Sequence, residues 1–137
     1  MSSSIKRLFL FLALTVFLYT SAALCFADTG NFDFSLNVSA EDFTDLVNKA
    51  DNSQKFYVTT LSHNLKAGDS FWYGPRRGST IMSNGLRFTT AKDPRQKGDY
   101  TKTAYANDKI KLRGNFRPQD ITSGDAYTIN ISGQWTP

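Results

Sequence analysis

The sequence predicts a mainly β protein, an antiparallel β-sandwich or barrel of about seven short strands, with one short helix after the first strand. Three observations carry this. Apolar and polar residues alternate along several short runs, the period-2 pattern of strands buried on one face. Turn-forming residues separate these runs every 8 to 12 residues or so. No internal repeat or long low-complexity segment competes with that pattern.

Phe32, Phe34, Leu36 and Val38 alternate with Asp33, Ser35 and Asn37, which predicts the first strand. Ser39 then stands as an N-cap with Asp42 three residues on. Phe43, Leu46, Val47 and Ala50 follow at i, i+3, i+4 and i+7, predicting an amphipathic helix over 40–50. After the polar turn Asp51-Asn52-Ser53, the β-forming run Lys55 to Leu61 predicts a strand. Ser70 to Tyr73 predicts another, ended by Gly74-Pro75. Ser79 to Ser83 and Leu86 to Ala91 flank Asn84-Gly85, a strong hairpin signal because both turn residues tolerate positive φ. Lys92 to Asp99, with Asp93-Pro94 and Gly98, reads as a mobile loop. A second hairpin is expected from Lys102 to Ala106 and Lys109 to Phe116 across Asn107-Asp108. The last strand turns Tyr127, Ile129, Ile131, Gly133 and Trp135 one way and Thr128, Asn130, Ser132 and Gln134 the other.

Ahead of these elements, Met1 to Ala27 reads as an export signal. Lys6 and Arg7 supply a positive start, Leu8 to Leu24 an apolar run, and Ala27 a small residue at the cleavage position. An uncleaved anchor would need about 20 apolar residues, and Tyr19, Thr20 and Ser21 dilute the run. A lipid anchor on Cys25 would need a small residue before it, where Leu24 stands. The expectation is therefore a secreted, extracellular protein cleaved after Ala27. Residues 1–27 are the signal peptide and 28–137 a single β-rich domain.

Cleavage changes the composition. The full chain carries +4, but loss of Lys6 and Arg7 leaves 14 bases against 12 acids, or +2, and removes the only cysteine. The remaining 110 residues are cysteine-free and must be held by a core, which a chain of this length can build. An exported domain without disulfides fits a bacterial source, particularly one with a single membrane. The charge is uneven: residues 28–51 carry six acids against Lys49, whereas 52–137 carry thirteen bases against six acids. An acidic N-terminal segment is expected to pack beside a basic sheet and neutralise it.

Catalytic signals are sparse. Beyond residue 27 there is one histidine, His63, in the turn-like Ser62-His63-Asn64, and no cysteine. No Gly-rich phosphate loop and no telling carboxylate pair appears, so an enzyme is not expected, and no cofactor. One histidine cannot build a zinc site, and no EF-hand signature is present. Recognition signals are denser. Phe71-Trp72-Tyr73-Gly74-Pro75-Arg76-Arg77-Gly78 combines aromatic and arginine side chains of the kind that dominate binding surfaces. In the Asn107-Asp108 hairpin, Lys102, Lys109, Lys111 and Arg113 would share one face above Ala104 and Ala106, with Thr103, Tyr105, Ile110 and Leu112 turned to the core. Like charges facing each other across strands cost stability, which points to an anion-binding face. A net +2 gives little attraction for nucleic acid, which exported proteins seldom meet.

Several short motifs also resemble a family of small, uncharacterised secreted proteins of Gram-positive bacteria that share a domain of unknown function. They are Asn31-Phe32-Asp33-Phe34-Ser35, Ser70-Phe71-Trp72, Ala104-Tyr105-Ala106-Asn107 through Lys111-Leu112-Arg113-Gly114, and Tyr127 to Trp135 with Ser132-Gly133 before the tryptophan. The acidic stretch at 40–50 departs from that pattern, which has Ser- and Asn-rich segments there. In size and layout the family is distantly similar to lactococcin-type bacteriocins, an analogy that transfers no function. The leading expectation is a non-enzymatic domain that binds an anionic cell-surface polymer or membrane surface through Lys102, Lys109, Lys111, Arg113, Arg76, Arg77 and Trp72. The alternative is a bacteriocin-like toxin. The least favoured reading is an extracellular hydrolase working with loop acids and His63.

Overall fold

The computed structural model describes residues 28–137; the predicted signal peptide, Met1 to Ala27, lies outside the described residues. Among the described residues, ten strands form two antiparallel sheets packed face to face, the predicted β-sandwich. One sheet has the order β1 (Gly30–Leu36), β10 (Ile129–Thr136), β4 (Lys55–His63), β8 (Arg95–Asp99). The other has the order β2 (Glu41–Phe43), β9 (Lys109–Asn115), β5 (Phe71–Arg77), β6 (Thr80–Ile81). To it β3 (Val47–Asn48) adds on β9, and β7 (Leu86–Phe88) adds on β5. A short 3-10 turn, Pro118–Asp120, follows β9.

Alternation explains the core. Phe32, Phe34 and Leu36 of β1, Phe71 and Tyr73 of β5, Ile110 and Leu112 of β9, and Ile129, Ile131 and Trp135 of β10 are all buried between the sheets. Four rings tie the sheets together. Phe32 lies 5.4 Å from Phe34 and 5.3 Å from Tyr73, Phe71 lies 5.1 Å from Tyr73 and 6.2 Å from Phe34, all between ring centroids. The Tyr73 hydroxyl is satisfied by Thr60 Oγ1 at 2.8 Å, and its burial holds it well above the usual phenol range. As expected, β10 ends the described chain inside a sheet, zipped to β1 from Gly30↔Trp135 to Leu36↔Ile129.

Four local expectations differ from the structure. The segment 40–50 is not a helix but two short strands, β2 and β3. Phe43 and Leu46, two members of the expected apolar helix face, are 37% and 58% exposed, so a helix would have had little to bury. The free edge of β9 instead offers unpaired backbone groups, and the segment satisfies them. Glu41 to Phe43 pair with Arg113 to Asn115, Val47 and Asn48 pair with Lys109 and Ile110, and Thr44 bridges the gap through Leu112. Ser39 is no N-cap; it takes a φ of 71° in the turn that carries the chain between sheets.

Asn84-Gly85 does not close a hairpin. β6 and β7 both pair with β5, so they are one interrupted strand, in which Met82 to Gly85 oppose only Gly74 and Pro75. Pro75 has no N–H to donate, and the neighbouring strand bulges away beside it, as interior prolines require. β5 therefore continues through Gly74-Pro75 to Arg77, and the true hairpin turn is Gly78-Ser79, where Gly78 has a φ of 59°.

The segment Lys102 to Ala106 is not a strand either. Both edges of β9 are occupied, by β5 and by β2 with β3. Side chains satisfy the backbone of 102–106 instead: Gln54 bonds both Ala104 N and Ala104 O, Asn52 Oδ1 accepts from Ala106 N, and Arg77 donates to Thr103 O. Inside and outside are reversed from expectation, with Ala104 buried and Tyr105 exposed. Finally, 92–99 is not a loop throughout: Arg95–Asp99 is the edge strand β8 on β4, and Ser62 and His63 close β4 rather than forming a turn.

Two buried features set stability. Gly133 sits beside a bulge in β4, where an added Cβ would lie 2.0 Å from the Thr59 carbonyl oxygen. Because the obstacle is backbone, Gly133→Ala is expected to destabilise the protein by about 3 kcal/mol, at the upper end of overpacking costs, in denaturant unfolding. Asp69 is buried and clamps the connection between β9 and β10, accepting from Thr122 N, Ser123 N, Ser123 Oγ and Tyr127 Oη at 2.5–2.9 Å. Burial alone would raise its pKa, but these bonds outweigh it and hold the carboxyl below its usual 3.8. A depressed folded-state pKa contributes stability above the unfolded value that is lost as pH falls through the folded one. Asp69→Asn is therefore expected to lower the melting temperature at pH 7 and to flatten its fall below about pH 4, followed by thermal denaturation.

Candidate functional site

The same alternation that buries Phe71, Tyr73 and Pro75 sends Trp72, Gly74 and Arg76 to the outer face of β5. On β9, Ile110, Leu112 and Gly114 face inward and Lys109, Lys111, Arg113 and Asn115 outward. Strand register then decides neighbours: Trp72 lies opposite Asn115, Gly74 opposite Arg113 and Arg76 opposite Lys111. Between them runs an open groove of about 370 Å³, lined by Trp72, Gly74, Arg76, Asn84, Arg113 and Asn115, with Arg117 at one end. At Gly74 an added Cβ would meet nothing within 4 Å.

Trp72 is held in place. Its Nε1 donates to Asp120 Oδ1 at 3.1 Å, and the Arg117 guanidinium lies 4.7 Å from the ring centroid. Arg117 in turn grips Asp120 with both Nε (2.6 Å) and Nη2 (2.9 Å). Burial would raise the Asp120 pKa, but Arg117 and Trp72 outweigh it and hold the carboxyl below its usual range; the hydrogen bonds to Asp120 in turn raise Arg117. At that end the Arg117 charge is balanced by Asp120, and both hold the indole in place.

The other end is positive. Arg76 makes no salt bridge or side-chain hydrogen bond among the described residues; burial and then repulsion from Arg113 pull its pKa below the ordinary guanidinium value, partly offset by attraction to Glu41. Lys111 rests over the Phe43 ring, 4.1 Å from its centroid. Arg113 pairs with Glu41 on β2, while its Nε has no acceptor. The acidic N-terminal segment thus does pack beside the basic sheet, and Glu41 is its contribution here.

The structure brings Trp72, Arg76, Lys109, Lys111 and Arg113 to one sheet face but separates two of the expected residues from it. Lys102 lies in the exposed 102–106 loop, since the hairpin that would have faced it to Arg113 does not form. Arg77 is consumed by Asp108 Oδ2 at 2.7 Å and by Thr103 O. His63 accepts from Leu65 N through Nδ1 at 3.2 Å and packs edge-on against Phe88, contacts that shape a strand end. Sequence reasoning missed Gly74, Asn84, Asn115 and Arg117 as groove residues, and Arg87, which lies opposite Trp72 on β7. Asn115 and Arg117 were signalled by the continuing every-second-residue polar series from Lys109. Asn84 and Arg87 depended on the bulge.

Asp120→Ala is expected to free Trp72 and strand Arg117, costing about 1–3 kcal/mol and raising acrylamide quenching of tryptophan fluorescence, because Trp135 stays buried.

No protein-family model matches the chain, and no curated protein or solved structure matches it.

Proposed function

We propose that the protein is a secreted, non-enzymatic domain of a Gram-positive bacterium that binds an anionic polymer of the cell envelope or extracellular medium through this groove. The observation that carries the reading is Arg76 opposite Lys111, beside Arg113, with Glu41 as the one carboxylate paired among them. Cations facing each other across strands cost folding stability, and that cost is recovered when an anion sits between them. The export-signal pattern of Met1 to Ala27 and the resemblance to small secreted proteins support the setting.

Opposite charge changes should act in opposite directions. Arg76→Ser is expected to weaken binding to an anionic wall-polymer preparation about tenfold at low salt, with a smaller difference at high salt. Glu41→Gln removes the internal competitor for Arg113 and is expected to tighten binding by a few-fold. Unchanged affinity in both variants, measured by sedimentation with cell walls, would remove this reading. Growth inhibition of Gram-positive indicator cells by the purified protein, lost in Arg76→Ser, would instead make the groove the docking surface of a bacteriocin-like toxin.

A further inference from the structure

We propose that the groove is a subsite for an anionic carbohydrate. The sugar ring lies in the gap above Gly74 against Trp72, and a phosphate or carboxylate on that sugar is held by Arg76 and Arg113. This rests on the reading of the face as an anion-binding surface and narrows the ligand from any polyanion to one in which acid and sugar are joined.

The spacing comes from the strand itself. Trp72 and Arg76 are four residues apart on one face of β5, about 13 Å along the strand, and the residue midway between them is Gly74. A side chain there would divide the groove; its absence leaves a recess between an aromatic side chain and a guanidinium. A bare polyanion has no use for such a recess, since a row of cations on a flat face would hold it. A planar lipid surface cannot enter one.

The chemistry of the lining is mixed in the same sense. Indole presents an apolar ring suited to the C–H face of a pyranose, and its orientation is already set by Asp120 and Arg117. The Asn84 and Asn115 amides have no hydrogen-bond partner among the described residues, and each supplies both a donor and an acceptor. Neutral amides add nothing to the capture of plain charge but match hydroxyl groups, which also donate and accept. Arg76 and Arg113 supply the planar donor forks that suit oxyanions. Along the groove Trp72 and Asn115 lie level at one end, Gly74 and Arg113 in the middle and Arg76 beyond, so a sugar against the indole meets the amide beside it and its acid group meets the guanidinium groups further along.

The test compares polymers of matched charge. Polygalacturonate carries a carboxylate on a sugar and phosphomannan a phosphate on a sugar; polyglutamate and polyphosphate carry the same acids without sugar. The expected result is that one or both sugar polymers bind the protein about tenfold more tightly than their sugar-free counterparts. Which of the two binds identifies the acid. Gly74→Val fills the recess while keeping every charge; its Cβ meets nothing within 4 Å, and an unchanged thermal unfolding curve checks that the fold is retained. It is expected to abolish the sugar margin, so that sugar polymers and their sugar-free counterparts bind alike. Asn115→Ala, which breaks no internal bond, is expected to reduce that margin about threefold. Equal affinity for polymers with and without sugar, or a margin that survives Gly74→Val, would overturn the saccharide subsite and leave the cationic face standing. Failure of every polyanion to bind would overturn both.

Discussion

The four rings Phe32, Phe34, Phe71 and Tyr73 are the constraint from which the rest of the structure follows. They join β1 of one sheet to β5 of the other at centroid distances of 5.1–6.2 Å. Aromatic side chains bury more area than any others, so a β5 that faced the other way would expose two of them to water. Glycines complete the fit, since a Cβ at Gly114 would lie 2.5 Å from Phe34. Once Phe71 and Tyr73 are committed inward, a period of two leaves Trp72, Gly74 and Arg76 no choice but the outer face. The groove is the reverse side of the core.

β9 transmits this order to the remaining elements. As the neighbour of β5 it repeats the same division, with Ile110 and Leu112 inside and Lys111 and Arg113 outside. Its second edge is closed by β2 and β3, which explains two features at once. The apolar residues Phe43 and Leu46 stay outside the core, and an acidic residue, Glu41, arrives beside Arg113. Backbone satisfaction and charge balance are achieved by one short segment. With both edges taken, 102–106 is held by Gln54 and Asn52 side chains instead of a ladder.

Electrostatics divides the outer face into unequal halves. Asp120 accepts from Arg117 and Trp72 together, so at the aromatic end the Arg117 charge is balanced and the indole is held. At the other end three cations share Glu41. Like charges facing each other across strands at that end cost the fold stability.

The strand pattern and the alternation of β1, β9 and β10 were legible in the sequence because side-chain period depends only on local geometry, whereas the run of β5 through Gly74-Pro75 to Arg77 was not. What pairs with what was not. The 40–50 segment has a helical apolar spacing, yet the unpaired edge of β9, distant in sequence, drew it into strands. Asn84-Gly85 has the composition of a hairpin turn, yet Pro75, about ten residues earlier, made it a bulge. Arg95 to Asp99 looked like a loop because an edge strand needs little apolar surface; mainly Gly98 faces inward there, against Phe56. The sequence by itself determined the core side chains of β1, β9 and β10 and which cations share a face of β9, but not the inside and outside of 40–50 and 102–106. Tertiary structure alone decided their partners, setting Arg76 against Lys111, removing Lys102 and Arg77 from the site and opening the recess at Gly74. Backbone hydrogen bonds are nonlocal, and each edge goes to whichever segment can satisfy it.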